Sequence, residues 1–267
     1  MEILISMMNL SFLILGSVKE FYRIFTITRK IVSSLLIHFF KQFSGLSSKT
    51  FASALIWAAA CVANAEISID IYGGYQTSPH SIVTGKYQTS NEVNELQSFN
   101  FTAGWKGKSF SMPPYYGLRL TNWTLTNGWG LDFTHSKVYA DRLTLTQNGF
   151  ERLQFTDGLN NLTLHRQILF DKIKKEFLAY YGYGFGVIVP HVEFQVDSSL
   201  PRTFAYQYGG PTLALNGGIR VPINEGIYLF SEYKFTASWL DVRLNGGGSL
   251  KTRIFTNALN VGLGFNF

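Results

Sequence analysis

Hydrophobic and polar residues alternate with a period of two along most of the chain after residue 65. The C-terminal nine residues show this pattern most clearly. Apolar side chains there occupy every second position, at Leu259, Val261, Leu263, Phe265 and Phe267, and only asparagine and glycine lie between them. Successive side chains of a β-strand point to opposite faces, so this segment has one apolar face and one small or polar face. The pattern predicts a strand that faces membrane lipid.

Seven further segments show the same alternation and predict strands of the same kind. They contain, in chain order, Ile67, Tyr116, Trp129, Leu162, Tyr181, Leu213 and Leu229. About eight strands in total is an even number and the smallest that is usual for a membrane barrel. The sequence therefore predicts an all-β fold, an eight-stranded antiparallel up-and-down transmembrane β-barrel. We expect the last strand to close the ring by pairing with residues 66–75, because hydrocarbon tolerates no open sheet edge.

The predicted connections alternate between short and long. Short polar connections are expected at 124–128, 171–176 and 222–226, and longer ones at 78–114, 141–158, 197–210 and 241–251. Outer-membrane barrels have short periplasmic turns and long outer loops. This asymmetry predicts an outer-membrane protein of a Gram-negative bacterium with both termini in the periplasm and the lipid bilayer around it. The terminal Phe267 also resembles the C-terminal signal that the barrel-assembly machinery recognises.

The first 65 residues differ from the rest of the chain. Residues 49–65 have a charged start at Lys49, an apolar stretch and a small-x-small end at Ala63 to Ala65, which together predict a cleaved signal peptide. Residues 1–48 form an N-terminal extension, interpreted as a mis-called start or a long leader. The predicted mature domain is the barrel, residues 66–267.

Charge and cysteine content exclude several classes of function. The full chain carries 23 basic and 17 acidic residues, of which six basic and two acidic lie before residue 66. The mature part therefore has 17 basic and 15 acidic residues, and this near balance argues against nucleic acid as a partner. The only cysteine, Cys61, lies in the leader, so the mature chain offers neither a disulfide nor a thiol nucleophile.

Six charged residues occupy the predicted inward face of the strands. They are Asp70, Arg119, Asp132, Arg220, Glu232 and Lys234, three of each sign. An eight-stranded barrel has room inside only for side chains, so these charges are expected to pair with one another instead of lining a pore.

Three histidines fall at the predicted outer rim, namely His80, His135 and His191. His135, Lys137 and Tyr139 are expected to continue a lipid-facing column at the height of the phosphorylated glucosamines of lipid A. Pro190 is expected to introduce a bulge that reverses the alternation before His191. A solvated rim that touches lipopolysaccharide without acting on it remains the simpler interpretation of this spacing.

Several segments together resemble the outer-membrane lipid A oxidase family. The most specific are GWGLDFTHSKVYAD at 128–141 and VPHVE at 189–193, and the weaker ones include SPHS at 78–81, GWKGKSF at 104–110 and FTDGLN at 155–160. The resemblance spans nearly the whole mature chain. It implies oxidation of the proximal glucosamine of lipid A to 2-aminogluconate by dioxygen, with release of hydrogen peroxide, on a 1-dephosphorylated substrate.

The rim residues provide hypothetical roles for this reaction. His135 or His191 is expected to act as the base on the anomeric hydroxyl, and Asp141 or Glu193 to orient it. Substrate-binding candidates are Lys106, Lys108, Lys137 and Tyr139, and candidate ligands of a divalent metal are His80, His135 and His191. Dioxygen would be the co-substrate, and the sequence shows no flavin or nicotinamide site. Two alternatives remain open: a non-catalytic barrel for adhesion or envelope stability, and an enzyme that modifies the acyl chains of lipid A.

Overall fold

The structure is a computed structural model that describes residues 66–89, 95–170 and 177–267. The predicted extension at 1–48, the predicted signal peptide at 49–65 and the predicted turn at 171–176 lie outside these residues. Within the described ranges, no helix is both long and apolar enough to cross a membrane.

The described residues form twelve strands and one short helix, joined by turns and loops. The strands are β1 (Glu66–Thr77), β2 (Ser81–Gln88), β3 (Leu96–Ala103), β4 (Trp105–Lys106), β5 (Tyr116–Thr124), β6 (Asn127–Ala140), β7 (Arg152–Leu169), β8 (Leu178–Gln195), β9 (Thr203–Tyr206), β10 (Gly210–Pro222), β11 (Ile227–Leu244) and β12 (Gly248–Asn266). The helix, α1, is Arg142–Asn148 and lies between β6 and β7.

Eight of these strands form a closed antiparallel ring in the order β1-β5-β6-β7-β8-β10-β11-β12, with β12 returning to β1. The closing pair runs from Ser68 opposite Asn266 to Thr77 opposite Asn257. The predicted eight-stranded barrel and its closure by the C-terminal strand are therefore confirmed. We call the end that carries both described termini the inner end and the opposite end, with the long connections, the outer end.

Strands at the outer end extend farther than the sequence predicts. The expected loop at 241–251 is wrong, because β11 and β12 stay paired up to Leu244 opposite Gly248. The expected long loop at 78–114 contains the β2–β3 hairpin, which pairs with β12, and β4, which pairs with β6. These added strands provide partners for backbone groups of ring strands that continue beyond their ring neighbours.

A band of exposed apolar side chains surrounds the barrel. Every ring strand contributes, for example through Ile71, Leu118, Leu131, Leu164, Phe185, Leu215, Leu229 and Val261. Following the paired residues once around the ring returns to β1 about ten residues nearer its outer end, which corresponds to a strand tilt of about 40°. Each residue then rises about 2.5 Å along the barrel axis. The closed ring and its apolar band are the architecture of outer-membrane β-barrels.

Paired charges fill the inner half of the barrel. Arg119 contacts three carboxylates, at 3.4 Å from Asp70, 3.1 Å from Asp132 and 2.7 Å from Glu232. Lys234 lies 2.8 Å from Asp132, and Arg220 lies 3.7 Å from Asp70. All six predicted inward charges are buried and paired, as the sequence predicts.

The outer half of the interior is an apolar core. Its buried members include Val83, Trp105, Phe155, Phe194, Leu240 and Leu250. These side chains come from ring strands and from the β2–β4 excursion, so the added strands cap the barrel from within. Because both halves of the interior are packed with side chains, the chemically distinctive residues near the outer end lie on the outer wall.

Candidate functional site on the outer wall

Strand β8 keeps one alternation along its whole length. Ile188, Val192 and Phe194 are buried in the interior apolar core, so even-numbered residues point inward on both sides of Pro190. The predicted reversal at Pro190 is therefore wrong. His191 and Glu193 remain on the outer face, about 10 and 15 Å above Val187 of the apolar band at about 2.5 Å per residue.

The irregularity lies in the neighbouring strand β7. On the β6 side, Leu159 pairs with Ser136 and Phe155 with Val138, so three residues of β7 lie opposite one residue of β6. On the β8 side, Leu159 pairs with Pro190 and Gln154 with Glu193, so four residues of β7 lie opposite two of β8. β7 thus has two extra residues in the segment 156–158, which is a β-bulge. The bulge contains Gly158 at φ 110°, a conformation that glycine adopts without a steric penalty. It places Thr156 and Asp157 between the outer faces of β6 and β8.

His135 lies on the outer face of β6, as predicted, but it is covered. Its ring stacks on Tyr116 with 5.1 Å between centroids, and only 4% of the residue is exposed. The expected exposed column is therefore wrong at this position. His135 Nδ1 lies 2.9 Å from Oδ1 of Asn160, which is an acceptor, so Nδ1 carries the proton and Nε2 the lone pair. His135 Nε2 is buried and has no partner among the described residues.

His191 lies on the other side of the same bulge. Its Nδ1 is 3.4 Å from Oδ2 of Asp157 and 3.2 Å from Oγ1 of Thr156. Phe204 and Tyr206 on β9 pack against the ring at 4.4 and 4.6 Å between centroids. Only 4% of the residue is exposed, and its opposite nitrogen, Nε2, has no hydrogen-bond partner in the described part of the chain. A carboxylate beside Nδ1 and an unpartnered Nε2 are the arrangement of a histidine base with an orienting acid.

Glu193 does not have its predicted role of orienting a histidine. Its carboxylate accepts from Arg152 at 3.0 Å, from Arg202 at 2.5 Å and from Gln154 at 2.5 Å. Burial by itself would raise the pKa of Glu193, but the hydrogen bonds from Gln154 and Arg202 and the two arginine charges outweigh it and hold this pKa below the usual range. Glu193 therefore anchors the outer part of β8 to β7 and to the segment before β9.

Asp141 also differs from its predicted role. Its side chain is the N-cap of α1 and accepts from the backbone N of Thr144 at 2.8 Å. The hydrogen bonds from Thr144 lower the pKa of Asp141. The carboxylate also lies against Gly104, where an added Cβ would come within 2.4 Å of Oδ2. Asp141 thus fixes the β6–α1 junction and contacts neither His135 nor His191 directly.

The predicted substrate-binding lysines fall into two groups. Lys137 is 2% exposed, and its ammonium donates to the backbone oxygens of Ser111 and Met112 at 2.9 and 3.2 Å. Lys137 therefore holds the segment before β5 against the wall and is not free to meet a phosphate. Lys106 and Lys108 are exposed, and the Lys108 ammonium lies 4.0 Å from the centroid of the Tyr139 ring.

The predicted metal set of His80, His135 and His191 is not assembled. Among the residues that the structure describes, no three histidine, cysteine, aspartate or glutamate side chains are grouped to hold a metal ion. His80 lies in a groove lined by β11 and β12, whereas the other two histidines flank β7. The donor set therefore does not fit the divalent metal site that the sequence suggested.

Asp157, Thr156 and Asn160 are the site residues that the sequence analysis did not assign. They belong to the bulge or follow it directly, and their contacts with the histidines depend on its geometry. The dipeptide Asp157-Gly158 is a turn signal that marks the irregularity in the strand pattern. We call the group His135, Thr156, Asp157, Asn160 and His191 the bulge cluster.

Comparisons with known proteins give similarities of fold. No protein-family model and no characterised protein sequence matches the chain. Among solved structures, the chain is similar to Neisserial surface protein A (11% identity, 75% of this chain and 97% of that chain, TM-score 0.42). It is also similar to Ail, the attachment invasion locus protein of Yersinia pestis (11%, 76% and 99%, 0.34), and to the outer membrane protease OmpT of Escherichia coli (7%, 76% and 97%, 0.38). The assignment as an outer-membrane type of barrel therefore depends mainly on the strand pairing and apolar band described above.

Proposed function

We propose that this protein is a lipid A oxidase that works on the outer wall of its barrel. The observation that carries the proposal is the pair of His191 and Asp157, 3.4 Å apart, in which the second histidine nitrogen has no hydrogen-bond partner among the described residues. The pair lies about 10 Å above the exposed apolar residue Val187 at about 2.5 Å per residue, where lipid headgroups meet the protein. A substrate held in the outer leaflet reaches this height with its sugar while its acyl chains face the apolar band.

The proposed reaction starts at the reducing end of lipid A. His191 Nε2 accepts the proton of the anomeric hydroxyl of a 1-dephosphorylated glucosamine, and Asp157 stabilises the imidazolium that forms. The hydrogen on the anomeric carbon leaves with an electron pair, and dioxygen takes up the two electrons and two protons to become hydrogen peroxide. The sugar becomes a lactone, and addition of water to it gives 2-aminogluconate.

Lys106 and Lys108 supply the positive charge that a phosphorylated glycolipid requires in this proposal. Both are exposed on the segment that includes β4, which pairs with β6 beside Tyr139 and Ala140. Lys137 acts indirectly, because its two hydrogen bonds fix the backbone of Ser111 and Met112 on the same wall. This division of roles replaces the predicted contact between Lys137 and substrate.

The proposed setting is the outer membrane, with lipopolysaccharide as substrate and the outer end of the barrel extracellular. The inner end would then lie in the periplasm together with both termini of the mature chain. Phe267 at this end would present the signal for the barrel-assembly machinery. Its backbone N donates to Ile67 at 2.8 Å, so in the folded barrel the C-terminal residue is paired to the first strand.

The test uses the purified barrel in detergent with 1-dephosphorylated lipid A. We expect oxygen consumption, an equal amount of hydrogen peroxide and the mass of the 2-aminogluconate form. His191→Ala and Asp157→Asn should each lower turnover at least about 100-fold, the usual contribution of an acid–base group. Asp197→Asn is the matched control for Asp157, because it changes a partly exposed acid of the β8–β9 connection whose side chain bonds only to Ser199 in its own turn among the described residues.

Three outcomes would count against the proposal. Full activity in both variants would remove the His191–Asp157 pair from the reaction. A change of acyl-chain mass without oxygen consumption would favour an acyl-chain enzyme. An unchanged lipid with a folded barrel would favour a non-catalytic role in adhesion or envelope stability.

A further inference from the structure

The groove that contains His80 lies on a part of the barrel wall away from the bulge cluster. Its volume is about 650 Å³, within the usual range for ligand sites. The lining residues come from the β1–β2 connection, β2, β11 and β12, and include His80, Trp239, Lys251, Arg253 and Phe255. In the eight-stranded ring, β12 is four strands from β7 in either direction, and β10 separates β11 from β8, so this groove is distinct from the bulge cluster.

The groove has one positive charge that no neighbouring acid balances. Its lining contains Lys251, Arg253 and His80, and Asp241 next to the groove balances the charge of Lys251. Lys251 forms an exposed ion pair with Asp241 at 2.8 Å. The backbone of Arg253 pairs with β11, but its side chain has no hydrogen-bond or ion-pair partner among the residues that the structure describes. An unpaired arginine in a concave site favours a planar or tetrahedral anion such as a phosphate.

The floor of the groove is aromatic. Trp239 on β11 is directly opposite Arg253 on β12. Below them the rings of Phe235 and Phe255 stack at 6.1 Å with an interplanar angle of 12°. Aromatic residues at the edge of an apolar band are typical of the membrane interface, where the ring contacts both the lipid acyl chains and the headgroup region.

The height of the groove matches a headgroup. Leu259 is the exposed apolar residue of β12 nearest the groove, and Arg253 lies six residues before it in the sequence, toward the outer end. At about 2.5 Å per residue, Arg253 lies about 15 Å above Leu259. An anion bound there can therefore be attached to acyl chains that run down the wall over Leu259 and Val261.

We infer that this groove binds the phosphate headgroup of a membrane amphiphile, with Arg253 and Lys251 as the phosphate ligands and Trp239 and Phe255 as the contact for the adjoining glycerol or sugar. The ligand is held and not changed chemically. The groove would hold one lipid on a part of the wall away from the bulge cluster. The bound lipid would then favour one orientation of the barrel relative to the membrane. This inference does not depend on the proposed oxidase activity.

The experiment measures lipid binding to the full mature barrel in detergent by native mass spectrometry. The probe is didecanoyl phosphatidate, which carries a phosphate monoester. Phosphatidylcholine with the same chains controls for the apolar contact, and inorganic phosphate controls for a free anion. Arg253→Gln and Lys251→Gln should each weaken phosphatidate binding about tenfold, the loss expected for one charge-assisted contact. Arg243→Gln is the matched control, since it neutralises an exposed arginine of β11 outside the groove.

Selective phosphatidate binding that both groove variants weaken and Arg243→Gln leaves unchanged would support the inference. Equal binding by wild type and Arg253→Gln would overturn it. Equal binding of phosphatidylcholine would show that only the aromatic floor is used, and displacement by equimolar inorganic phosphate would show a free-anion site; either result would also overturn it. The variants change exposed side chains, so each should remain folded. The heat-modifiable electrophoretic mobility of each variant checks this.

Discussion

Replacing Arg119 with methionine tests the charge network that fills the inner half of the barrel. Arg119 is completely buried and contacts Asp70, Asp132 and Glu232. Methionine keeps much of the volume but removes the positive charge. Three carboxylates then face only two cations, Lys234 and Arg220, and Arg220 is the more distant at 3.7 Å from Asp70.

Glu232 decides the size of the effect. Arg119 is its only ion-pair partner within the described residues, and the side chain of Glu232 is fully buried. Its carboxylate keeps hydrogen bonds from Tyr180, Asn216 and Asn260 at 2.8, 2.9 and 3.0 Å. Removing one partner of a buried ion pair costs about 3–5 kcal/mol. We expect Arg119→Met to lower the free energy of unfolding by that amount, and Arg119→Met/Glu232→Gln to recover part of it because no unpaired charge remains at Glu232.

The assay is urea unfolding of the barrel in lipid vesicles, followed by heat-modifiable mobility and tryptophan fluorescence. Both signals should give the same midpoint, and the double-mutant cycle gives the coupling energy between the two side chains. Arg243→Gln is a control on the exposed surface and should change stability by less than about 0.5 kcal/mol. A loss of less than about 1 kcal/mol in Arg119→Met, or no recovery in the double variant, would refute the network argument.

Three further predictions concern the outer end. Gly158→Ala should lower turnover about 10- to 100-fold in a folded barrel, because the new Cβ would lie 2.4 Å from His135 Nδ1. The control Gly149→Ala also has a positive φ, 66° compared with 110° at Gly158, but has nothing within 4 Å, and equal losses in both would contradict this. Because the pKa of Glu193 is lowered in the folded barrel, its stabilisation should be present at neutral pH and decline below about pH 5. Urea midpoints should therefore fall with acid less in Glu193→Gln than in wild type, and parallel curves would refute that. Asp141→Ala should destabilise α1 by about 1 kcal/mol and speed its amide exchange, and unchanged exchange would show that the cap is unimportant.

The ring itself could be predicted from the sequence because strand periodicity is local. Alternation at Ile67, Trp129 and Leu259 reports which side of each strand faces lipid, and a closed ring follows from the need to pair every edge. The inward charges could be predicted for the same reason. Asp70 and Arg119 belong to the small or polar face of their strands, and the narrow interior forces them together.

The outer end could not be predicted in the same way because its strands have left the lipid. Residues such as Leu244 and Leu250 face inward, into an apolar core formed with the β2–β3 hairpin, and the outward residues Asp241 and Arg243 are charged. The apolar face is therefore the inner one, the reverse of the lipid-facing segments, and the sequence pattern of 241–251 did not predict a membrane strand. Only tertiary packing shows that β11 and β12 continue.

The candidate site was found only in part for a related reason. His135 could be assigned to the outer face by counting from the apolar band, whereas the expected reversal at Pro190 would have turned His191 away from that face. Their partners could not be assigned, because the contacts depend on two extra residues in β7, and a bulge changes the register of everything beyond it. Asp141 and Glu193 were plausible partners by sequence proximity, yet one is a helix cap and the other is bound by Arg152 and Arg202.

The mass of lipid A from cells is the most direct measurement of the proposed activity. Cells that produce the wild-type barrel should contain lipid A with a 2-aminogluconate unit, and cells that produce equal amounts of folded Asp157→Asn should retain the glucosamine form. Conversion in both strains would contradict the role of the Asp157–His191 pair. Absence of conversion in the wild-type strain, with 1-dephosphorylated lipid A present and the barrel folded, would contradict the oxidase itself.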